Sequence, residues 1–316
     1  MEKAILYVVI PCYNEEPVIR ETEMRLSTKL DSMIKEEKIS EKSRIVFVDD
    51  GSKDNTWNII EEFYNNKKYV IGIKSSRNRG HQNTLLEGLT TVKEECDIVV
   101  SMDADLQDDI EVLDQFVEKY YEGSDIVYGV RKSRTSDTYF KRTTAQGFYK
   151  LMQFMGVEIV YNHADYRLMS AKAIAQLENF KEVNLFLRGI IPMIGFKTDI
   201  VEYERSERFA GESKYPLKKM ISFAIDGITS LSVKPIRFIT SFGIGMFLIS
   251  ILLLVYFLTQ HLLGNTIQGW TTLAISVWAI GGLQLLAIGI VGEYIGKIYL
   301  ETKKRPRFIV DKFIRK

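Results

Sequence analysis

Cysteine and histidine are scarce in these 316 residues, with two of the first and three of the second. Cys12 and Cys96 lie far apart and neither belongs to a CxxC pair. That argues against a disulfide scaffold and a zinc site, and fits a reducing cytoplasm. His81, His163 and His261 are too scattered along the chain to suggest a metal cluster. No GxGxxG follows the first apolar run and no GxxxxGK[ST] occurs, which disfavours a dinucleotide oxidoreductase and a P-loop ATPase. Neither a GxSxG elbow nor an HExxH pair is present. The apolar run at residues 4–10 is too short and too early for a signal peptide and reads as a buried strand.

Formal charge is also missing where it matters. Between Phe238 and Gly292 there is no Asp, Glu, Lys or Arg, so the net charge of +1 averages two dissimilar regions. The uncharged stretch is too long for one bilayer crossing and suits two of about twenty residues each, at 239–258 and 272–292. The connector 261–269 carries no formal charge. Lys218, Lys219, Lys234 and Arg237 precede the first span, while Lys297, Lys303, Lys304, Arg305 and Arg307 follow the second. The positive-inside rule then puts both flanks, and with them both termini, in the cytoplasm of a multi-pass cell-membrane protein. Residues 215–235 read as an amphipathic helix, either lying in the interface plane or forming an ordinary surface helix. The expected organisation is a soluble domain at 1–214, this helix, two spans at 236–298 and a basic tail at 299–316.

What is present in the soluble part is alternation. Short β-branched runs at 4–10, 44–48, 70–74, 97–101 and 125–130 are separated by segments of helical spacing at 18–34, 56–64, 82–92 and 110–121. Alternating strands and helices predict an α/β domain with a mainly parallel sheet, whose ligands sit beyond the carboxyl ends of the strands. The polar clusters fall at those ends: residues 11–15, 49–52, 76–80 and 103–105. A basic segment, 131–147, and a helix at 148–155 follow.

Asp103 and Asp105, one residue apart at a strand end, can share a hard cation such as Mg²⁺ or Mn²⁺ that bridges phosphate oxygens. The triplet alone is weak, because D-x-D is common on surfaces; the apolar run before it strengthens the reading. Asp49 and Asp50, followed by Gly51 and Ser52, can accept hydrogen bonds from a base or a ribose, while Asp54 suits a helix N-cap. Arg77 and Arg79 sit on a loop leading into a helix, next to a phosphate or simply in solvent.

Taken in order, Val9–Glu16, Val48–Asp54, Arg77–Gly80, Asp103–Gln107, His163–Leu168 and Arg208–Tyr215 resemble glycosyltransferase family 2, the inverting GT-A fold. With two terminal spans the chain is similar to the polyprenyl-phosphate glycosyltransferases, the type of bactoprenol glucosyltransferase and dolichyl-phosphate mannose synthase. The resemblance implies a nucleotide pocket lined by Pro11, Tyr13 and Glu15, with Asp49 near the uracil and Asp50 and Arg77 beside it. It implies ribose, diphosphate and metal at Asp103 and Asp105, with Gln107 adjacent, and a catalytic Asp165 near the acceptor. Arg131, Arg208, Ser213 and Lys214 match the positions that hold an acceptor phosphate. The partners implied are a UDP-sugar, a polyprenyl phosphate and the bilayer, with no nucleic acid; a homo-oligomer is compatible with it. The QxxRW signature of processive synthases is missing, which argues for a single transfer per acceptor.

Two roles stay open for Asp165 at this point. A phosphate monoester has a second pKa of about 6 and needs little help from a base near pH 7, so Asp165 can serve by orienting a basic residue or the sugar. A hydroxyl acceptor, on a glycolipid or polysaccharide, would instead require it as general base. A third class, an idle anchor or assembly subunit, is disfavoured by the intact carboxylates. The sugar, glucose or N-acetylglucosamine, is not decided by any residue.

Overall fold

The computed structural model describes residues 2–132, 154–155, 163–183, 185–206, 225, 227–230, 232–263 and 270–315. Its centre is a parallel block of four strands, β1 (Leu6–Cys12), β2 (Arg44–Asp49), β3 (Val70–Ser75) and β4 (Ile98–Ser101), in the order β4-β1-β2-β3. Every residue of β1 is buried, as expected of a parallel strand covered on both faces. The period of two divides its side chains. Leu6, Val8 and Ile10 pack with Leu26 and Leu30 of α1 (Ile19–Lys35), Ile60 and Phe63 of α2 (Thr56–Asn66), and Phe116 of α4 (Leu113–Tyr121). Tyr7 and Val9 face the other layer, with Leu85 and Leu89 of α3 (His81–Val92), Ile174 of α5 (Ala171–Leu177) and Ile190 of α6 (Leu187–Met193). At about 25 cal/mol per Å² of apolar surface removed from water, these two layers are what hold the strand ends in register. Gly88 permits the close seat of α3, since a Cβ there would meet the Val9 and Val48 side chains at 2.5 and 2.8 Å.

The sheet extends on both sides of this block. β5 (Ile126–Arg131), β6 (His163–Ser170), β7 (Thr198–Tyr203) and β8 (Val310–Ile314) complete the order β7-β5-β6-β4-β1-β2-β3-β8. Four pairings are parallel, β1–β2, β1–β4, β2–β3 and β5–β7, and three are antiparallel, β3–β8, β4–β6 and β5–β6. The α/β class and the preponderance of parallel pairing hold. The expected strand at 125–130 does not pair with β4: β6 runs antiparallel between them, and carries Asp165 into the sheet.

Within the basic tail, residues 310–314 form an edge strand on β3, secured by Lys312 to Glu61 at 3.1 Å and by the Tyr64 hydroxyl donating to the Arg315 carbonyl at 3.0 Å. Its side chains alternate too sparsely in apolar character for the pattern to have been visible.

Two long apolar helices, α7 (Lys234–Leu262) and α8 (Trp270–Thr302), lie between β7 and β8 in the chain. His261, expected in the connector, belongs to α7, and α8 runs ten residues past Gly292. Among the described residues one segment, Ile280–Thr302, with mean hydropathy 1.4 and none of it buried, is long and apolar enough to cross a membrane. The helix expected at 148–155 and most of the amphipathic helix at 215–235 lie outside the described residues.

Candidate active site

The carboxyl ends of β1, β2 and β4 and the loop after β3 converge, and backbone constraints explain how. Asn14 adopts a left-handed φ of 54° after β1; its N–H donates to Ser52 Oγ at 2.9 Å, and its side-chain oxygen accepts from Lys53 N–H at 2.8 Å. This laces the Tyr13–Glu15 turn to the turn after β2. Asp49 is fully buried and accepts the Ser52 N–H at 3.2 Å; burial pushes its carboxyl upward, which the Ser52 hydrogen bonds oppose. Asp50 accepts from the N–H groups of Arg79 and Gly80 at 2.6 and 2.9 Å, so its carboxylate is engaged in shaping the loop ahead of α3. Gly51 has φ +66°, and a Cβ there would lie 2.8 Å from the Asn78 backbone nitrogen. Only glycine lets the Arg77–Asn78 segment close over this turn. The N-cap position of α2 falls to Asn55 instead of Asp54, whose Oδ1 accepts from the Thr56 N–H at 3.0 Å.

The Asp103–Asp105 turn is held from below. Thr22 of α1 donates its hydroxyl to the Ala104 carbonyl at 2.9 Å, Asp105 Oδ1 accepts from the Gln107 N–H at 3.2 Å, and Leu106 between them takes a φ of 56°. A non-glycine residue in that region stores roughly 1 kcal/mol or more of strain. Asp108 is buried and pushed up to about 6, by burial first and by the Asp103 charge second. Carboxylates that repel one another this way form a hard-oxygen donor set, and the arrangement fits a divalent cation. Among the described residues no three His, Cys, Asp or Glu side chains gather closely enough to cage a metal. A cation here would therefore take Asp103 and Asp105 as protein ligands and draw on phosphate and water for the rest, as Mg²⁺ commonly does.

Opposite this turn stands Asp165. Arg188 on α6 donates to it from Nε at 3.2 Å and from Nη2 at 3.0 Å, and the fully buried Arg167 donates from Nη2 at 2.5 Å. Burial works to raise the Asp165 carboxyl, but Arg188, His81 and Arg167 outweigh it and hold it well below the usual carboxylate range. His81, the first residue of α3, bridges the two sides, with Nε2 3.7 Å from Asp103 Oδ1 and 3.6 Å from Asp165 Oδ2. Burial lowers its imidazole, while the two carboxylates raise it by more. Close by, Tyr203 donates its hydroxyl to Asp108 at 2.6 Å, and Arg205 donates to Gln107 Oε1 at 2.5 Å. Among the described residues, the buried Nε atoms of Arg131 and Arg205 have no hydrogen-bond partner.

The structure thus brings Pro11, Tyr13, Glu15, Asp49, Asp50, Arg77, Asp103, Asp105, Gln107, Arg131 and Asp165 to the strand ends of one sheet. Arg208, Ser213 and Lys214 lie outside the described residues. Arg188, Arg205 and His81 stand in the same cluster and are missing from the sequence-derived set. Arg188 had a signal, as a lone cation in the apolar segment LRGIIPM; for Arg205 only proximity to the Arg208 motif pointed the way.

A family model described as Glycosyl transferase family 2 matches residues 7–177. A Bacillus subtilis (strain 168) protein named uncharacterized glycosyltransferase YkoT is 55% identical over 97% of this chain and 91% of its own length. The prophage bactoprenol glucosyl transferase homolog of Escherichia coli (strain K12) is 37% identical over 96% of this chain and 98% of its own. The bactoprenol glucosyl transferase of Shigella phage SfX is 38% identical over 96% and 97%.

Proposed function

Since the chain belongs to glycosyl transferase family 2, we propose that this glycosyltransferase moves one hexose, glucose or N-acetylglucosamine, from a UDP-sugar to a polyprenyl phosphate at the cytoplasmic face of a membrane. The observation that carries the reading is the grip of Arg188 and Arg167 on Asp165, directly across His81 from Asp103. A carboxylate held so far down is a poor base. A lipid phosphate, largely dianionic near pH 7 because its second pKa is about 6, needs none. What it needs is to be brought beside a diphosphate against charge repulsion, and a cluster of guanidiniums answers that need. The names of the two bactoprenol relatives agree with such an acceptor. The depressed Asp165 carboxyl speaks against the alternative hydroxyl acceptor.

In this reading the turn after β2, with Asp49, and the turn after β1, with Tyr13 and Glu15, receive the nucleoside. Asp103 and Asp105 hold Mg²⁺ or Mn²⁺, which when bound neutralises charge on the departing diphosphate. Asp165 orients Arg188 toward the acceptor oxygens, and positioning with electrostatics supplies most of the acceleration. Arg131, Arg208, Ser213 and Lys214 complete the acceptor site. Residues 1–214 form the catalytic domain, 236–298 the two spans, and the segment between them the interfacial helix. The strands β7 before α7 and β8 after α8 belong to one sheet, which supports an even number of crossings with both flanks on the same side. Confinement to the bilayer surface raises the effective concentration of a lipid acceptor.

The test is transfer of radiolabel from UDP-glucose, UDP-N-acetylglucosamine and UDP-galactose in vesicles with and without undecaprenyl phosphate. Label enters the lipid extract only when the lipid phosphate is present; equal labelling of diacylglycerol vesicles lacking it would overturn the reading.

A further inference from the structure

Where the end of α8 meets the soluble body there is a cavity that the transfer reaction does not use. Its volume is about 270 Å³, and Glu182, Thr229, Ser230, Tyr294, Lys297 and Ile298 stand in its wall. Several polar groups around it are engaged in fastening the helix. The Tyr294 hydroxyl donates to the Ser232 carbonyl at 2.7 Å, Lys297 Nζ donates to Ser230 Oγ at 3.0 Å, and Glu301 Oε1 accepts from Val183 N–H at 2.6 Å. Among the described residues, Glu182 Oε2 is enclosed and has no hydrogen-bond partner. Arg307, which donates to the Phe180 carbonyl, acts on Glu182 through its field but makes no hydrogen bond to that oxygen.

An enclosed carboxylate oxygen without a donor is costly, by more than a neutral acceptor would be. The cavity is satisfied by an occupant that brings an N–H donor to Glu182 and a negative group toward Lys297. Its position adds a third requirement. Ile295 and Ile298, 60% and 63% exposed, run along the outer face of α8 beside it, so the occupant has an apolar continuation.

We propose that this cavity holds the headgroup of a bilayer phospholipid bearing a primary amine. The ammonium meets Glu182, the phosphate lies by Lys297 and the hydroxyls of Thr229 and Ser230, and the acyl chains follow Ile295 and Ile298. A choline headgroup has no N–H and leaves Glu182 unmet. A purely anionic headgroup places its charge between Glu182 and Glu301 with no cation of its own. The proposal rests on α8 lying in the membrane, as the functional reading has it.

The experiment reconstitutes the full chain into vesicles of equal parts phosphatidylethanolamine, phosphatidylcholine and phosphatidylglycerol, re-extracts it in detergent, and identifies the co-purifying lipid by mass spectrometry. Wild type retains phosphatidylethanolamine about tenfold over phosphatidylcholine, the scale of one charge-assisted contact. Glu182→Gln loses that preference, and Lys297→Met lowers retention of both lipids. Equal retention of the two lipids by wild type, or a Glu182→Gln chain that keeps the preference, overturns the site. Flotation of the same vesicles on a density gradient separates the two premises. A chain that does not float overturns the membrane reading and this site with it, whereas a floating chain without headgroup preference overturns the site alone.

Discussion

Arg188 meets Asp165 as a bidentate pair, Nε on Oδ1 at 3.2 Å and Nη2 on Oδ2 at 3.0 Å, across from the Asp103 turn. Such a fork fixes the plane of the guanidinium as well as its charge. In the proposed reading the carboxylate is the positioning member and the arginine the group presented to an anion.

That division of labour predicts non-additivity. Asp165→Asn and Arg188→Ala should each reduce lipid-linked transfer by about two orders of magnitude, and the double variant should be little worse than the poorer single, as for residues that act as one unit. Because Asp165 is held well below the usual range, the wild-type rate should show no inflection from it between about pH 5 and 9. Losses that multiply in the double variant would contradict the pairing.

Metal dependence follows from the Asp103–Asp105 turn. Excess chelator should abolish transfer, and Mg²⁺ or Mn²⁺ should restore it. Asp105→Asn should lose about two orders of magnitude, as expected when charge on a leaving diphosphate is no longer neutralised. Isothermal titration of Mn²⁺ with UDP present checks the same site without turnover, and undiminished binding by Asp105→Asn would count against it.

Gly51 gives a test of the loop closure. With φ +66° and a Cβ that would press on the Asn78 nitrogen at 2.8 Å, Gly51→Ala should destabilise the domain by roughly 1 kcal/mol or more and weaken UDP binding as the Arg77–Asn78 segment is displaced. Thermal unfolding and UDP affinity report the two effects separately. Wild-type values for both would show that the loop does not need this approach.

Glu87 makes a pH-dependent prediction. It is fully buried on α3, shares a hydrogen bond with Ser75, and leaves Oε1 without a partner. Burial and the Asp50 charge raise its carboxyl above the ordinary value. A raised folded-state value means that the folded chain binds this proton more tightly than the unfolded one. Stability is then greatest below the unfolded carboxyl value of about 4.3 and is lost as pH rises through the folded one. Glu87→Gln should remove that loss and raise the melting temperature at pH 8 relative to wild type, with little gain at pH 4. A variant that melts lower at pH 8 would refute the sign.

The sequence made β1 to β4 and their terminal clusters readable because parallel strands buried on both faces appear as unbroken apolar runs, and polar turns then stand out at their ends. β6 was less readable: His163–Leu168 alternates polar and apolar residues, but Arg167, which that pattern would turn to solvent, is buried. β8 was illegible for a different reason. It is short, with two charged residues in five, and an edge strand needs apolar residues on one face only. Of the site, the carboxylates were found through their spacing, but Arg188 and His81 reach it from separate elements, and no local pattern records that their distances to Asp165 are a few ångströms.

The two apolar helices interrupt a single sheet, with seven strands before them and β8 after. During synthesis the β3 edge emerges early and waits for a partner that the ribosome makes only once α7 and α8 have left it. Until then a row of unpaired N–H and C=O groups stands open, a template on which another nascent chain can add a strand. Completion of the catalytic sheet is in this way tied to the fate of the apolar helices. A chain interrupted between α7 and α8 would carry every carboxylate of the candidate site and still present an open seam.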